Sequence, residues 1–159
     1  MGFLEKQTDP TTPMHWRGDM QADYFYSSGI AGDKFFKHLM SKDTFLACKC
    51  TKCSKIYCPP RLYCEDCFEE IPNSNWNEVP AKGTIRLFTV AKLNAHGVNL
   101  ASPKVVAFID IEGTTSAMLG IIKTNDLNKD FVGLKVKAIL RSKDKREGTL
   151  KDILYWEEL

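Results

Sequence analysis

Hydrophobic positions change period along this chain. Between residues 21 and 43, Tyr24, Phe25, Tyr26, Ile30, Phe35, Phe36, Leu39 and Met40 crowd together. Phe35, Phe36, Leu39 and Met40 recur at i, i+1, i+4 and i+5, which is one stripe of a helix. Asp33 reads as its cap, with Gly29 and Gly32 interrupting the segment before it. The segment therefore predicts a short irregular helix and then a better one ending near Ser41. Ahead of them, residues 1–20 hold Pro10, Pro13 and few aliphatic side chains, and read as an extended arm anchored by Met14 and Trp16.

From Thr44 the period shortens to two. Thr44 to Cys50 reads as a strand, and residues 71–78 as a polar linker. From Val79 five more strands are expected. Thr84–Leu93 places Ile85, Leu87, Ala91 and Leu93 on one face, and a loop follows from Asn94 to Ser102. Val105, Ala107, Ile109 and Ile111 alternate in the second strand, and Glu112-Gly113 makes a hairpin turn. Ala117, Leu119 and Ile121 alternate in the third, and Leu134, Val136, Ala138 and Leu140 in the fourth. Leu150 and Ile153 to Trp156 supply the fifth, after a charged loop at 143–148. Five strands in about 75 residues, with a turn of helix at most between the third and fourth, fit a small Greek-key barrel. The OB-fold is the natural candidate, and an SH3-like barrel is the alternative. The fold class is mainly β with an N-terminal helical arm. Residues 1–45 form the arm and helices, 46–78 a cysteine-rich module with its linker, and 79–159 the barrel.

That cysteine-rich module carries the chemistry. Cys50, Cys53, Cys64 and Cys67 stand as C-x₂-C-x₁₀-C-x₂-C, the spacing of a zinc ribbon or rubredoxin-like pair of knuckles. Two thiolates separated by two residues can face one ion at a tight turn, and a second such turn completes a tetrahedron of sulfur ligands. Four sulfurs leave no position for water, so the site reads as structural. Zinc is expected, and iron suits the same four thiolates. Cys48 and Cys58 are left over and read as buried small hydrophobes, with exchange of either into the ligand set as the alternative. A disulfide framework fits less well: the chain begins MGFLEKQTDP without an apolar run, and the remainder is long enough to build its own core.

Composition narrows the function classes. The chain has 159 residues and a net charge of +2, with no apolar stretch near the ~20 residues of a membrane span. A cytoplasmic location is expected. The positive charge sits late: residues 79–159 carry +4, most of it from Lys135, Lys137, Arg141, Lys143, Lys145 and Arg146. That stretch invites an anionic partner, and its plainer reading is a solvated strand face and loop. His15, His38 and His96 belong to no nucleophile–base motif, so independent catalysis is not expected; an iron-loaded electron carrier is the one redox variant.

The helical segment with Phe35-Phe36, the two knuckles, Pro59-Pro60-Arg61 between them and Gly133-Leu134-x-Val136 before the fourth strand together resemble the domain-of-unknown-function-35 family. The resemblance spans about residues 24 to 156. It implies a rubredoxin-like zinc ribbon joined to an OB-fold. It also implies a non-catalytic scaffold that binds acyl-CoA or partners a thiolase or related condensing enzyme. Family members often carry glycine after the second cysteine; here Ser54 takes that place and Phe68 follows the last cysteine, so both turns are expected to be strained. Cys58 stands where the family usually has an apolar residue, which strengthens its claim on the metal. On this reading Arg61 is a candidate phosphate contact, and Phe35 and Phe36 are candidates to cover an acyl tail, although core packing competes for both phenylalanines. Single-stranded nucleic-acid binding is the alternative. It lacks a stacking platform: the second strand offers Phe108 beside Asp110, and Phe88 lies on the first.

Overall fold

The computed structural model describes residues 26–94 and 96–159. The arm with Met14, His15 and Trp16, and Tyr24 and Phe25 of the expected irregular helix, lie outside the described residues.

Helix α1 runs Gly29–Ser41 and buries Phe35 and Leu39. Its entry differs from the expectation. The hydroxyl of Ser27 accepts the N–H of Gly29 at 3.0 Å, and Gly29 takes φ +68°, a conformation open to glycine. The helix then passes through Gly32, so Asp33 sits inside it and pairs with Lys37 at 2.8 Å instead of capping.

Strands β1 (Thr44–Lys49), β2 (Ile56–Tyr57) and β3 (Trp76–Pro80) form a sheet in the order β2-β1-β3. The expected polar linker at 71–78 is instead structured. Ile71 is buried, Asn73–Asn75 make a 3₁₀ turn, and β3 pairs with β1 from Cys48↔Trp76 to Thr44↔Pro80. The reason lies in β1, which buries Phe45, Ala47 and Cys48 and needs a partner on each edge.

The barrel comprises β4 (Lys82–Leu93), β5 (Asn99–Ile111), β6 (Ala117–Ile122), β7 (Lys135–Leu140) and β8 (Ile153–Glu158). It closes in the order β4-β5-β6-β8-β7, antiparallel throughout except where β6 meets β8 at Ile122↔Trp156. This is the Greek-key barrel of an OB-fold. Val105, Ala107, Ile109 and Ile111 face inward as expected. Three strand expectations change. In β4 the register slips between Ile85 and Leu87, so a bulge at Arg86 turns Leu87 outward and Phe88 and Val90 inward. β5 begins at Asn99, because Asn94 accepts the N–H groups of His96 and Val98 and shortens the loop. In β6 the inward face is Met118, Gly120 and Ile122, not Ala117, Leu119 and Ile121. Trp156 fills the barrel under Gly120, where an added Cβ would lie 2.3 Å from the indole. Only glycine fits there.

One core runs from helix to barrel. Phe35 packs on Phe45 at 6.2 Å between ring centroids, and Phe45 on Trp156 at 6.0 Å. Arg146 fastens the same junction. Its side chain is 3% exposed; it donates to the carbonyls of Leu39 (2.9 Å), Lys42 (2.7 Å) and Arg141 (2.7 Å) and pairs with Asp43. The last turn of α1 is thereby capped by a residue from the barrel. Asp152, fully buried, holds the following loop by accepting the N–H groups of Glu147, Gly148 and Thr149.

Two stability outcomes follow. Arg146→Ala leaves buried carbonyls unpaired and is expected to cost about 2–4 kcal/mol in urea unfolding, with Arg146→Lys recovering less than half because an ammonium lacks the fork. Burial works against the Asp152 carboxylate, but the three N–H donors and Arg141 hold its pKa below the usual range. Its contribution is therefore complete above the ordinary carboxyl pKa and is lost as pH falls through the lowered one. The stability gap between the wild type and Asp152→Asn should be widest near neutrality and should shrink on acidification; a gap independent of pH would remove the carboxylate from this role.

Candidate metal centre

Each knuckle is a tight turn built by the same backbone pattern. In the first, Cys50 N–H donates to the Lys55 carbonyl (2.8 Å) and Ser54 N–H to the Cys50 carbonyl (3.1 Å). In the second, Cys64 N–H donates to Glu69 (2.9 Å) and Phe68 N–H to Cys64 (3.0 Å). The residue closing each turn is left-handed, Ser54 at φ +60° and Phe68 at φ +55°. These are the two turn positions where strain was expected, and both carry the backbone cost of a side chain in the left-handed region.

The turns bring all four Sγ atoms within 4.8 Å of one another. Cys50 and Cys67 stand 3.5 Å apart, and Cys53 and Cys64 3.4 Å. A tetrahedral zinc with ~2.3 Å bonds to sulfur needs S–S edges of about 3.8 Å. The donor set fits a zinc ion with small adjustments. Backbone N–H groups of Lys52 and Cys53 aim at the Cys50 sulfur, those of Asp66 and Cys67 at Cys64, and single N–H groups of Lys55 and Glu69 at Cys53 and Cys67. Such donors favour the thiolate that a metal requires.

Tyr57 adds a contact that the cysteine spacing does not reveal. Its hydroxyl lies 3.2 Å from the Cys64 sulfur. Donation from that hydroxyl, followed by the N–H groups of Cys67 and Asp66, outweighs burial and brings the Cys64 thiol down to about 6. Burial first, and then the sulfur, push the tyrosine upward. The sequence carried no signal for this contact, because it depends on cross-strand register. Cys48↔Tyr57 pairing sets its ring among Cys48, Cys50, Cys64 and Ile71, a second small core that Trp76 completes.

Cys48 and Cys58 stay outside the sulfur cluster. The Cys48 sulfur accepts the Arg61 N–H at 3.1 Å and faces the Arg61 carbonyl at 3.5 Å, which pins the bend. Cys58 packs in the main core, and burial pushes its thiol up to about 12. The family-based case for Cys58 as a ligand is not met by this placement.

Arg61 lies over the Tyr57 ring at 4.9 Å and pairs with Glu65. It lines a cleft of about 360 Å³ where the ribbon meets the β5–β6 turn, together with Lys55, Pro59, Thr115 and Ser116. Phe35 is enclosed in the core and offers no surface to a ligand, while Phe36 is half-buried against it. His38 shares a hydrogen bond with Thr44 at 3.0 Å, and His96 sits in the β4–β5 loop, so the structure does not assemble these two histidines.

Zinc analysis of the purified chain should give one ion per molecule. Cys64→Ser should lose most of it, whereas Cys58→Ser should retain it; full retention in Cys64→Ser would sink this ligand set. Ser54→Gly relieves a left-handed residue and is expected to stabilise the ribbon by up to about 1 kcal/mol, read as slower zinc loss to a chelator.

The model of the ChsH2 rubredoxin-like zinc ribbon domain matches residues 43–72. Among solved structures, the Ltp2-ChsH2(DUF35) aldolase aligns with a TM-score of 0.53 at 18% identity, over 71% of this chain and 85% of that one, a likeness of fold. A DUF35 protein of unknown function from Sulfolobus solfataricus aligns with a TM-score of 0.56 over 70% of this chain and 78% of its own. At 30% identity to that archaeal protein over more than two thirds of both chains, this chain belongs to the DUF35 family.

Proposed function

We propose that this chain is a non-catalytic companion of a thiolase or related acyl-CoA condensing enzyme, that it holds acyl-CoA at the junction of ribbon and barrel, and that Cys50, Cys53, Cys64 and Cys67 bind the structural zinc. The observation that carries the ligand reading is the placement of Arg61 and Lys55 around one cleft beside the hydroxyls of Thr115 and Ser116. Coenzyme A combines phosphates with a neutral pantetheine arm, which matches two cations beside neutral polar groups. Both cations already hold half-exposed carboxylates, Lys55 with Asp66 and Arg61 with Glu65. Surface pairs of this kind contribute about 0–1 kcal/mol, so exchanging a carboxylate for a phosphate costs little. A structure of similar fold whose description joins the DUF35 name to an aldolase supports a partner enzyme. A thiolate zinc site together with two buried thiols, Cys48 and Cys58, suits a reducing cytoplasm, and among the described residues no helix is long and apolar enough to cross a membrane.

The nucleic-acid reading loses its main support. Arg146 is buried, and carboxylates stand among the remaining cations, Glu157 beside Lys137 (3.1 Å), Glu147 beside Arg141 (2.7 Å) and Asp43 beside Lys143 (3.3 Å), so the stretch forms a surface of mixed charge and not a basic stripe along which a phosphate backbone could run. Phe108 lies under Arg86, itself paired with Asp110, and Phe88 packs inward on Phe131.

Affinity capture from nuclease-treated native lysate, read by mass spectrometry, is expected to recover a condensing enzyme. Arg61→Ala should weaken binding of coenzyme A to the captured pair by about tenfold while keeping zinc. Recovery of nucleic-acid-handling proteins alone would overturn this function.

A further inference from the structure

The outward face of β6 is apolar where a solvated barrel face would be polar. Leu119 is 71% exposed and Ile121 41%. Val106 stands beside them on β5, paired with Ile121. On β8 the ladder passes from Ile139↔Tyr155 to Leu140↔Ile153, and the skipped residue is Leu154, which this bulge turns outward to 45% exposure. Together with Leu150 and Pro59, the side chains of Leu119, Ile121, Val106 and Leu154 line a shallow groove of about 400 Å³. Neither Leu119 nor Leu154 serves the core, which takes Met118, Gly120 and Trp156 from the same strands.

The rim of this groove is basic. Lys104 adjoins Val105, which pairs with Ile122, and Lys123 follows on the opposite strand. Lys123 lies over the groove-lining Tyr155 at 4.8 Å. Lys151 follows Leu150 in the turn before β8. All three lysines are exposed, and none has an ion-pair partner among the described residues. Most of the lysines and arginines of 137–146 are paired instead; what sets Lys104, Lys123 and Lys151 apart from other unpaired lysines is their place beside the apolar residues of the groove.

Two kinds of occupant fit an apolar centre, and depth separates them. A site for an aliphatic chain encloses most of its ligand. A face that leaves Leu119 71% exposed cannot do that. It has instead the anatomy of a protein interface, an apolar middle inside a polar rim. We infer that the outer face of β5, β6 and β8 is a protein-docking surface, and that its occupant is a partner protein presenting an apolar segment flanked by carboxylates to Lys104, Lys123 and Lys151. The inference deepens the companion reading and rests on it for the kind of partner. The surface lies on the barrel, with Pro59 separating it from the cleft of Arg61.

The test uses the full chain in four forms: wild type, Leu119→Asp, the double variant Lys104→Glu with Lys123→Glu, and Arg61→Ala. The substituted groove side chains are exposed, so melting temperature and zinc content should match the wild type. Proteins captured from lysate are identified by mass spectrometry, and the main one is purified and its binding remeasured. The expected result is at least about a tenfold loss of affinity for Leu119→Asp and for the double variant, a wild-type affinity that falls with added salt, and no loss for Arg61→Ala. Equal retention by all four forms, or no protein retained by the wild type, overturns the docking surface. If the wild type self-associates in sedimentation and Leu119→Asp abolishes it, the occupant is a second copy and the inferred partner is wrong. If the protein lost from the groove variants handles no acyl-CoA, the companion function fails while the surface stands.

Discussion

Strand β1 has to serve two interiors at once, and most of the architecture follows from that constraint. Phe45 and Ala47 enter the core shared with α1 and the barrel, while Cys48, two residues before the first metal-site cysteine, enters the core of the ribbon. A strand buried in this way cannot lie at an edge, so β2 and β3 flank it. β3 hands the chain directly to β4, with Ala81 alone between them. The ribbon and barrel are consequently joined by packing as well as by covalent chain. A disturbance at the knuckles reaches the barrel through β1, and one at Trp156 reaches β1 through Phe45.

Much of this was legible in the residues, and the failures have physical causes. The cysteine spacing specified the metal cluster because a tetrahedral ion imposes its geometry on any chain that binds it. The strands of the barrel were visible wherever one face was simply buried, as in β5. They were misread where a bulge shifted the phase, at Arg86, since one added residue exchanges inside for outside. In β6 both faces are apolar, so alternation alone could not choose between them. Gly120 was the available clue, because a glycine inside a strand marks close approach by another group. The polar look of 71–78 concealed β3, whose pairing is decided by the needs of β1. Nothing in the sequence around Tyr57 announced its contact with Cys64, which arises from cross-strand register.

The charges sort themselves by role. Arg146 is spent on the end of a helix, Arg141 on the loop after it, and Arg86 on Asp110. A net charge or a local count of basic residues therefore says little about which cations a partner can reach. What matters is where the unpaired ones stand: among the described residues Lys49, Lys52, Lys82, Lys92, Lys135 and Lys145 lack a carboxylate as Lys104, Lys123 and Lys151 do, and the last three stand beside the apolar residues of the β5–β6–β8 face.

The barrel is closed unevenly. Four of its five seams are antiparallel ladders of three or more paired residues, but β6 and β8 meet at the single parallel pair Ile122↔Trp156, supported by the Lys123 N–H to the Trp156 carbonyl at 2.8 Å. The apolar groove straddles that sparsely bonded seam. Anything that covers it from outside would act as a clasp, holding β6 to β8 from the surface while Trp156 holds them from within. Occupancy of the face and rigidity of the barrel are thus linked quantities, and a bound partner would tighten the cylinder on which it sits.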